Sequence, residues 1–241
     1  MEKIQAIVIK SSDRKEKDKN ILLFSIENGK FWATLKGVKG ANAKMKLAQN
    51  PFCFAEFVVE DGKTGKIVTG FEVIESFHEL CENVDKFFEA AALLELVSAF
   101  DFESKGERAM MFVLLVKALK TICFETVREL YVLNKFMLET FKLNGTPLNA
   151  QKCSNCGTGA FEKLFINTST GELECVSCKS FCSEEILPNV LSAMKILSKT
   201  DFEKLGTLKL SAESEILLLK LLVKNFENRF GRKLNFVGIL R

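Results

Sequence analysis

The sequence predicts an α+β protein in which a small β-domain comes first and a helical domain with an inserted cysteine-rich segment follows. Three observations support this prediction. Residues 3 to 75 hold short segments rich in β-branched and aromatic side chains, separated by turn dipeptides. From Val84 onward, apolar residues instead recur at three- and four-residue spacing, which is the period of a helix. Four cysteines arranged as two CxxC pairs then interrupt the helical pattern.

The N-terminal segments are expected to be strands joined by hairpins. Asn28-Gly29 and Asp61-Gly62 lie between consecutive segments, and both dipeptides favour tight turns. Five short antiparallel strands suggest a closed or partly closed barrel, for which the OB-fold is the commonest five-stranded form that binds single strands. An SH3-like barrel is the alternative, because counting strands does not separate the two. The predicted strands are Ile4–Lys10, Ile21–Ile26, Lys30–Lys36, Phe52–Glu60 and Lys66–Ile74.

Apolar stripes predict helices before and after the cysteines. The stripes before them run through Phe87–Val97, Met111–Ile122 and Val127–Phe141, and the last ends at the stop signal Asn144-Gly145-Thr146-Pro147. After the cysteines, Ser183–Lys199 is expected to be one helix. The final helix is expected to begin after an N-cap at Ser211, to carry Glu213 and Glu215 in its first turn, and to end at Gly231.

The two CxxC pairs predict a zinc site. Each pair brings two sulfurs to one side of a tight turn, and two such halves complete a tetrahedral Zn²⁺ site. A strand through Leu164–Ile166 and a turn at Thr170-Gly171 would join the halves, and Cys182 is a fifth thiol that competes for the fourth position. Four thiolates leave no open position on the metal, so the site is expected to be structural. The predicted ligands are Cys153, Cys156, Cys175 and Cys178.

These elements predict the domain organisation. We expect an OB-fold nucleic-acid-binding domain over residues 1–78 and a helical domain over residues 79–241, with a zinc-finger insertion at residues 150–182. Net charge is only +3, but residues 10–46 hold ten Lys or Arg against four Asp or Glu, whereas residues 56–107 hold thirteen acids against four bases. The first domain should therefore carry a basic patch.

Several classes of function find no support in the sequence. It contains no GxxxxGK[ST], GxGxxG or GxSxG motif, and its one histidine, His78, lies far from any paired acid or thiol. Glu172 and Glu174, near the cysteines, are expected at the surface. A binding protein is therefore favoured over an enzyme. The early charges exclude a signal peptide, no apolar run is long enough to cross a membrane, and the thiols fit a reducing, cytoplasmic compartment.

An aromatic pair in the third predicted strand adds a question. Phe31 and Trp32 are consecutive, so alternation requires one ring to face outward. An exposed ring beside basic loops can stack on a nucleobase, although a core role for each ring is the simpler interpretation. The neighbouring polar and basic segments, Ser11–Asn20 and Gly37–Asn50, are expected to be loops.

The ordered motifs resemble those of the RecO family, bacterial recombination mediators and DNA-repair proteins. The resemblance covers essentially the whole chain, and the cysteines fall after three predicted helices, as in the family. The motifs that support it are the opening strand IQAIVIK, Glu16-x-Asp18 before Phe24-Ser25, Gly29, Lys36-Gly37-Val38-Lys39, Gln49-x-Pro51-Phe52 and the two CxxC pairs.

The resemblance implies a function for the chain and partners for it. It implies an OB-fold that binds single- and double-stranded DNA and anneals complementary strands. It also implies RecR and the acidic C-terminal tail of the single-stranded-DNA-binding protein as partners, with which RecA is loaded onto coated single strands; no membrane and no small-molecule substrate is expected. A nucleoid-associated location follows from that role.

The basic residues of the predicted loops are the candidate DNA contacts. Our hypothesis is that they neutralise phosphates through counterion release, so that binding is largely independent of base sequence and falls steeply with salt. The competing hypothesis is a zinc-braced protein-interaction adaptor without DNA activity. The candidate contacts are Arg14, Lys15, Lys36, Lys39, Lys44 and Lys46.

Overall fold

The computed structural model describes residues 1–14, 18–38, 47–63, 65–149 and 151–238. The chain forms two compact units, Met1–Cys123 and Phe124–Arg241. Within the described ranges, the first unit contains a β-barrel followed by helices, and the second contains helices and a small cysteine-rich sheet. Four of the six predicted DNA-contact residues lie outside the described residues, namely Lys15, Lys39, Lys44 and Lys46.

The first unit contains a closed five-stranded barrel. Its strands follow the order β1-β2-β3-β5-β4, and β1 pairs with β4 to close the sheet. The expectation that all the strands are antiparallel was wrong for one pair, because the chain crosses from β3 to β4 before β5 returns beside β3 in the parallel direction. This is the OB-fold order, and it confirms the predicted fold class over the SH3-like alternative. Each strand overlaps its predicted segment, with ends that differ by three residues or fewer. The strands are β1 (Glu2–Asp13), β2 (Lys19–Ser25), β3 (Gly29–Leu35), β4 (Phe54–Gly62) and β5 (Gly65–Glu75).

Alternation along the strands builds the barrel core. Ile21 and Leu23 of β2 point inward beside Ala33 and Leu35 of β3, and all four are buried. Residues between them point outward, as the two-residue period of a strand requires. The β2–β3 hairpin turns at Gly29, whose φ of +63° is costly for residues other than glycine.

Helices of the first unit cover part of the barrel's outer face. They are α1 (Glu79–Glu82), α2 (Val84–Ala99) and α3 (Lys105–Phe124). The ring of Phe112 in α3 lies 5.9 Å from that of Phe24 in β2 and 5.4 Å from that of Phe54 in β4, measured between centroids. Lys30 Nζ donates to the carbonyl of Ser98 at 2.9 Å. One end of the β2–β3 face is therefore buried.

The second unit is built on three longer helices. They are α4 (Glu129–Leu143), α5 (Pro188–Lys199) and α6 (Ala212–Phe230). The predicted caps of α6 are confirmed: Ser211 Oγ accepts from the Ser214 N–H, and Gly231 takes the left-handed conformation with φ of +62°. No helix among the described residues has both the length and the apolar character that crossing a membrane requires.

The prediction of a single helix over Ser183–Lys199 was wrong at its start. Residues Ser183–Ile186 form a strand, and the helix begins only at Pro188. The physical reason is Pro188 itself, since proline fits the first turn of a helix and forces the residue before it out of the helical region. Leu187 is accordingly extended, with ψ of 147°.

Candidate metal centre and nucleic-acid interface

The cysteines lie on a three-stranded antiparallel sheet in the second unit. Its strands are β6 (Leu164–Asn167), β7 (Leu173–Cys175) and β8 (Ser183–Ile186), in the order β7-β6-β8. The predicted strand and the predicted turn at Thr170-Gly171 are both present, because Gly171 has φ of +74° and its N–H donates to the carbonyl of Asn167 at 2.7 Å.

Four thiols converge at one end of this sheet. The Sγ atoms of Cys153, Cys156, Cys175 and Cys178 all lie within 4.8 Å of one another, and those of Cys156 and Cys175 are 3.8 Å apart. A tetrahedral ion with metal–sulfur bonds of about 2.3 Å requires sulfur–sulfur separations of about 3.8 Å. The geometry therefore fits a four-thiolate metal site. Among the described residues, this cluster does not include Cys182, whose thiol is exposed.

Backbone turns hold each pair of thiols in place. In the first knuckle the N–H of Gly157 donates to the carbonyl of Cys153 at 3.0 Å, and Gly157 has φ of +74°, which is the reason for a glycine there. In the second, the N–H of Cys178 donates to the carbonyl of Cys175 at 3.1 Å. Asn155 Nδ2 joins the two knuckles by donating to the carbonyl of Cys178 at 3.3 Å.

The thiols of the cluster do not hold their protons equally. A hydrogen bond from the backbone N–H of Cys156 lowers the pKa of the Cys153 thiol to about 6. Hydrogen bonding to the Cys175 and Cys156 sulfurs raises the pKa of Cys178 to about 12. Because a metal binds thiolates, the lowered pKa favours Cys153 as a metal ligand at neutral pH.

A buried carboxylate supports the cysteine sheet from within. Glu174 was expected at the surface, yet it is 5 % exposed and contacts the hydroxyl of Ser183. It also accepts from the Ser180 N–H at 2.9 Å and from Asn167 Nδ2 at 3.2 Å. Burial alone would raise the pKa of Glu174, but these hydrogen bonds outweigh burial and lower it. Glu174 thus ties all three strands together, a role for which the sequence carries no signal.

Helix α6 anchors the turn of the sheet. Asn228 Nδ2 donates to Thr168 Oγ1 at 2.8 Å, and the guanidinium of Arg229 donates to the carbonyl of Thr146 and lies 5.5 Å from the ring centroid of Phe141. Burial lowers the pKa of Arg229. Polar side chains of α6 therefore contact the turn of the cysteine sheet and the chain that leads into it.

The described DNA-contact candidates lie near the exposed end of the barrel strands. Arg14 directly follows β1, and its guanidinium contacts Thr34 Oγ1 on β3 and lies 3.5 Å from Asn20 Oδ1 on β2. Lys36 directly follows β3 and is exposed. Asp18 accepts from the N–H of Gly37 at 3.0 Å, which fixes the chain just after Lys36. The structure thus brings two of the six predicted contacts to the same end of β1 and β3, the two strands that flank β2.

The fold and the site define a class of protein: an OB-fold protein whose helical second unit carries a candidate four-thiolate metal centre. The sequence profile described as "Recombination protein O N terminal" matches residues 1–77, and the one described as "Recombination protein O C terminal" matches residues 81–235. The chain belongs to the Recombination protein O (RecO) family.

Individual relatives agree with this assignment over nearly the full length of the chain. It is 29% identical over 236 residues to a "DNA repair protein RecO" of Desulforamulus reducens, covering 96% of this chain and 91% of the relative. It is also 29% identical over 243 residues to the protein of that name from Clostridium kluyveri, covering 99% and 93%. A third, from a Thermoanaerobacter species, is 28% identical over 212 residues, covering 87% and 84%.

Proposed function

We propose that this chain is a DNA repair and homologous recombination mediator. It binds single- and double-stranded DNA, anneals complementary strands and, with RecR, helps to load RecA onto single strands coated by the single-stranded-DNA-binding protein. The observation that carries this proposal is the match of both family profiles over a closed OB-fold barrel and the unit that follows it. The printed names of the relatives, DNA repair proteins, agree with it.

Charge neutralisation is the proposed mechanism of binding. Arg14 and Lys36, together with Lys15, Lys39 and the pair Lys44 and Lys46, carry six positive charges within the first 46 residues. Each phosphate that is neutralised releases condensed counterions, which favours binding regardless of base sequence. Two strands held on one basic surface repel each other less, and base pairing then supplies the free energy of annealing. No catalytic residue is needed for this reaction.

The salt dependence of DNA affinity tests this mechanism. Six phosphate contacts predict a slope of about −4 for log affinity against log salt on a single-stranded oligonucleotide. Replacing Lys36, Lys39, Lys44 and Lys46 with Glu should reduce the slope to about −1.4, because two contacts remain. Fluorescence anisotropy of a labelled oligonucleotide measures both quantities.

A matched single variant separates local contact from total charge. Lys36→Glu and Lys120→Glu change the net charge equally, and Lys120 is exposed on helix α3, away from the barrel loops. We expect Lys36→Glu to weaken binding and Lys120→Glu to leave it near the parent value. An affinity insensitive to salt, or equal losses in both variants, would contradict the proposal and favour the adaptor hypothesis.

We also propose that the thiol cluster holds a structural Zn²⁺ ion. Cys153, Cys156, Cys175 and Cys178 would be its ligands, and a zinc ion with four thiolates supplies rigidity and no reactive position. Elemental analysis of the purified protein should find one zinc per chain, and Cys153→Ser should lose it, whereas Cys182→Ser should retain it. Retention by Cys153→Ser and loss by Cys182→Ser would assign the fourth ligand to Cys182.

A groove in the second unit is the proposed site for the acidic tail of the single-stranded-DNA-binding protein. The groove has a volume of about 330 Å³. Its lining includes the apolar side chains of Ile186, Val190 and Leu221, the cations Lys220 and Lys224, and two acids, Glu184 and Glu185, which pair with Lys224 and Lys163. Because both acids are already paired, apolar side chains beside Lys220 suit a peptide that combines an apolar end with acidic residues. Lys224 also contacts Glu184, so Lys220 is the better residue to test.

Peptide titration tests the groove. We expect Lys220→Glu to weaken binding of a synthetic acidic tail peptide about tenfold or more, because a cation becomes an anion beside the peptide. Lys195→Glu, at an exposed position of α5, is the matched control and should bind as the parent does. If both variants bind the peptide with equal affinity, the peptide does not bind in this groove.

A cytoplasmic, nucleoid-associated location is proposed with this function. DNA binding would place the protein on the nucleoid, and the reduced thiols of a metal site would be preserved in a reducing compartment. Fluorescence microscopy of a tagged chain should show overlap with stained DNA, and a diffuse signal that ignores DNA would contradict the proposal.

A further inference from the structure

We propose that Trp32 is a stacking platform for an unpaired base, and that this contact makes the barrel bind a single strand more tightly than a duplex. This inference rests on the proposed DNA binding and adds to it a specific site and a specific ligand, the face of a nucleobase. None of the six charged residues considered above supplies such a contact.

The structure answers which ring of the aromatic pair faces outward. Phe31 packs against the barrel core, whereas Trp32 points away from it and is 51 % exposed in the middle of strand β3. Large apolar side chains that face solvent from the middle of a strand are not needed for the barrel core. A half-exposed indole in a rigid strand is well suited to stacking, because its orientation is fixed before binding.

The neighbours of Trp32 form two ordered rows on the outer face. In the first row the strand register places Lys10, Leu22 and Trp32 side by side on β1, β2 and β3. Neighbouring strands are about 4.8 Å apart, so Lys10 lies about two strand spacings from the indole. The row therefore offers a ring for a base and a cation for its phosphate.

The second row lies two residues further along the strands. Here Asn20 on β2 pairs with Thr34 on β3, and the guanidinium of Arg14 contacts both side chains. Thr34 is only 5 % exposed. Arg14 thus forms a basic edge next to the ring row, and Lys36 follows one residue after the end of β3.

The opposite side of the ring row is closed. Phe24, two residues beyond Leu22, lies under Phe112 of α3, and Lys30, two residues before Trp32, donates to the carbonyl of Ser98. Because that side is covered, we expect a strand that contacts Trp32 to run toward Arg14 and Lys36. This arrangement predicts the direction in which the phosphate backbone leaves the ring.

The surrounding chemistry favours a nucleic acid over a protein partner. Leu22, beside the indole, is only 9 % exposed, so the accessible apolar surface of this row is essentially one ring. A protein interface needs a broader apolar centre. The acids nearby are engaged, since Asp13 pairs with Lys19 at 3.8 Å and Asp18 accepts from the N–H of Gly37. An isolated ring among cations matches an unpaired base with its phosphates.

The protein carries its own probe for this site, because Trp32 is the only tryptophan in the chain. Titration with a single-stranded oligonucleotide at low salt should quench the emission of Trp32, since a stacked base quenches indole fluorescence. An abasic oligonucleotide of the same length and a polyphosphate should bind with little quenching. A blunt duplex, whose bases stay stacked on one another, should behave like the abasic strand.

Variants then measure the strength of the contact. Trp32→Ala should weaken single-strand binding by roughly 5- to 160-fold, the range for removal of one base-stacking ring, while changing duplex affinity much less. Trp32→Phe retains a ring and should recover most of the affinity. Phe181→Ala removes a fully exposed ring of the second unit and is the control that should bind as the parent does. Thermal unfolding of each variant confirms that the barrel is intact.

The outcomes separate this inference from the function on which it rests. If the parent binds the oligonucleotide by anisotropy, but its emission does not change and Trp32→Ala binds as tightly, the stacking site is overturned and the proposed function stands. Equal losses in Trp32→Ala and Phe181→Ala also overturn it. If the parent binds no DNA even at low salt, the proposed function fails first.

Discussion

The barrel of the first unit and the cysteine sheet of the second are stabilised in different ways. Among the residues that the structure describes, the barrel buries a continuous cluster of fourteen, which includes Phe57, Ile21 and Leu35. The cysteine sheet has strands of only three or four residues, and its buried apolar side chains include Phe165, Ile166 and Leu173. The first can be stable through apolar burial alone, and the second is too small for that.

The difference shows where each part obtains its rigidity. In the barrel, closure of the sheet removes free edges and the core fixes the register, so Trp32 and Arg14 stand on a rigid surface. In the cysteine sheet, the four thiols, the buried Glu174 and the contacts from Asn228 and Arg229 supply the constraints. We therefore expect the rigidity of the sheet to depend on the metal and on single polar contacts. The rigidity of the barrel should depend on the volume of the side chains that fill its core.

Removal of the metal should have the largest effect and should be confined to the second unit. Structural zinc contributes on the order of 10 kcal/mol to the folding of isolated zinc modules. We expect a chelator or Cys153→Ser to raise hydrogen exchange sharply over residues 151–186, with the barrel strands still protected. Exchange followed by mass spectrometry measures both regions at once.

The control for metal removal is DNA binding at low salt, which should change only secondarily. Loss of DNA binding while the helices remain intact by circular dichroism would show that the cysteine sheet belongs to the binding surface. Such a result would contradict the assignment of DNA binding to the barrel and of metal binding to the cysteine sheet.

Truncation in the barrel core should give the reverse pattern. Phe57 is fully buried in the core cluster, so Phe57→Ala should cost about 3–5 kcal/mol in the free energy of unfolding of the first unit. DNA affinity should fall with it, while zinc content stays at the parent level. Denaturant unfolding followed by Trp32 emission gives the first quantity, and elemental analysis gives the second. Loss of zinc in this variant would argue that the two regions fold as one.

A smaller effect is expected from the ion pair between Glu215 and Arg128 in the second unit. Glu215 in α6 is 3 % exposed, and its carboxylate lies 3.0 Å from Nη1 of Arg128, which is half exposed. Arg128→Met leaves a buried charge without its partner and should cost about 1–3 kcal/mol. Lys142→Met, which removes an exposed charge from α4, should cost less than about 1 kcal/mol.

The pH dependence of Arg128→Met has a defined sign. Burial raises the pKa of Glu215 and Arg128 opposes that rise. Without Arg128 the folded protein binds a proton more readily than the unfolded chain, so the lost stability should return as pH falls through the raised pKa of Glu215. Glu215→Gln should remove this dependence. A penalty for Arg128→Met that grows toward acid pH would contradict the assignment.

The smallest effect is expected at the turn of the cysteine sheet. Gly171 has φ of +74°, and a Cβ atom there would overlap the guanidinium of Arg229. Gly171→Ala should therefore cost about 1–2 kcal/mol and weaken zinc affinity. Gly159 has open space around its Cα and no positive φ, so Gly159→Ala is the matched control and should be near neutral. Competition with a chromogenic zinc chelator measures both variants, and equal zinc affinities would show that the turn does not support the site.

Much of the fold could be predicted because its signals are local. Alternation and turn dipeptides located all five barrel strands, and the CxxC spacing located the thiols that the structure brings together. The start of α5 was missed, although Pro188 carried the signal. The support that Glu174 gives to three strands could not be foreseen, because Ser180, Ser183 and Asn167 converge on it only after the sheet has formed.

By itself, the sequence determined the barrel, the helices and the two thiol pairs, since strand period, helix period and ligand spacing are properties of neighbouring residues. The tertiary structure decided which of Phe31 and Trp32 faces outward, which glutamates are buried, and that Cys182 stands outside the cluster. These outcomes depend on partners far away in the chain. The packing of Phe31 against the barrel core, and not any local preference, leaves the only tryptophan exposed in the same row as Lys10 and two residues from Thr34, which Arg14 contacts.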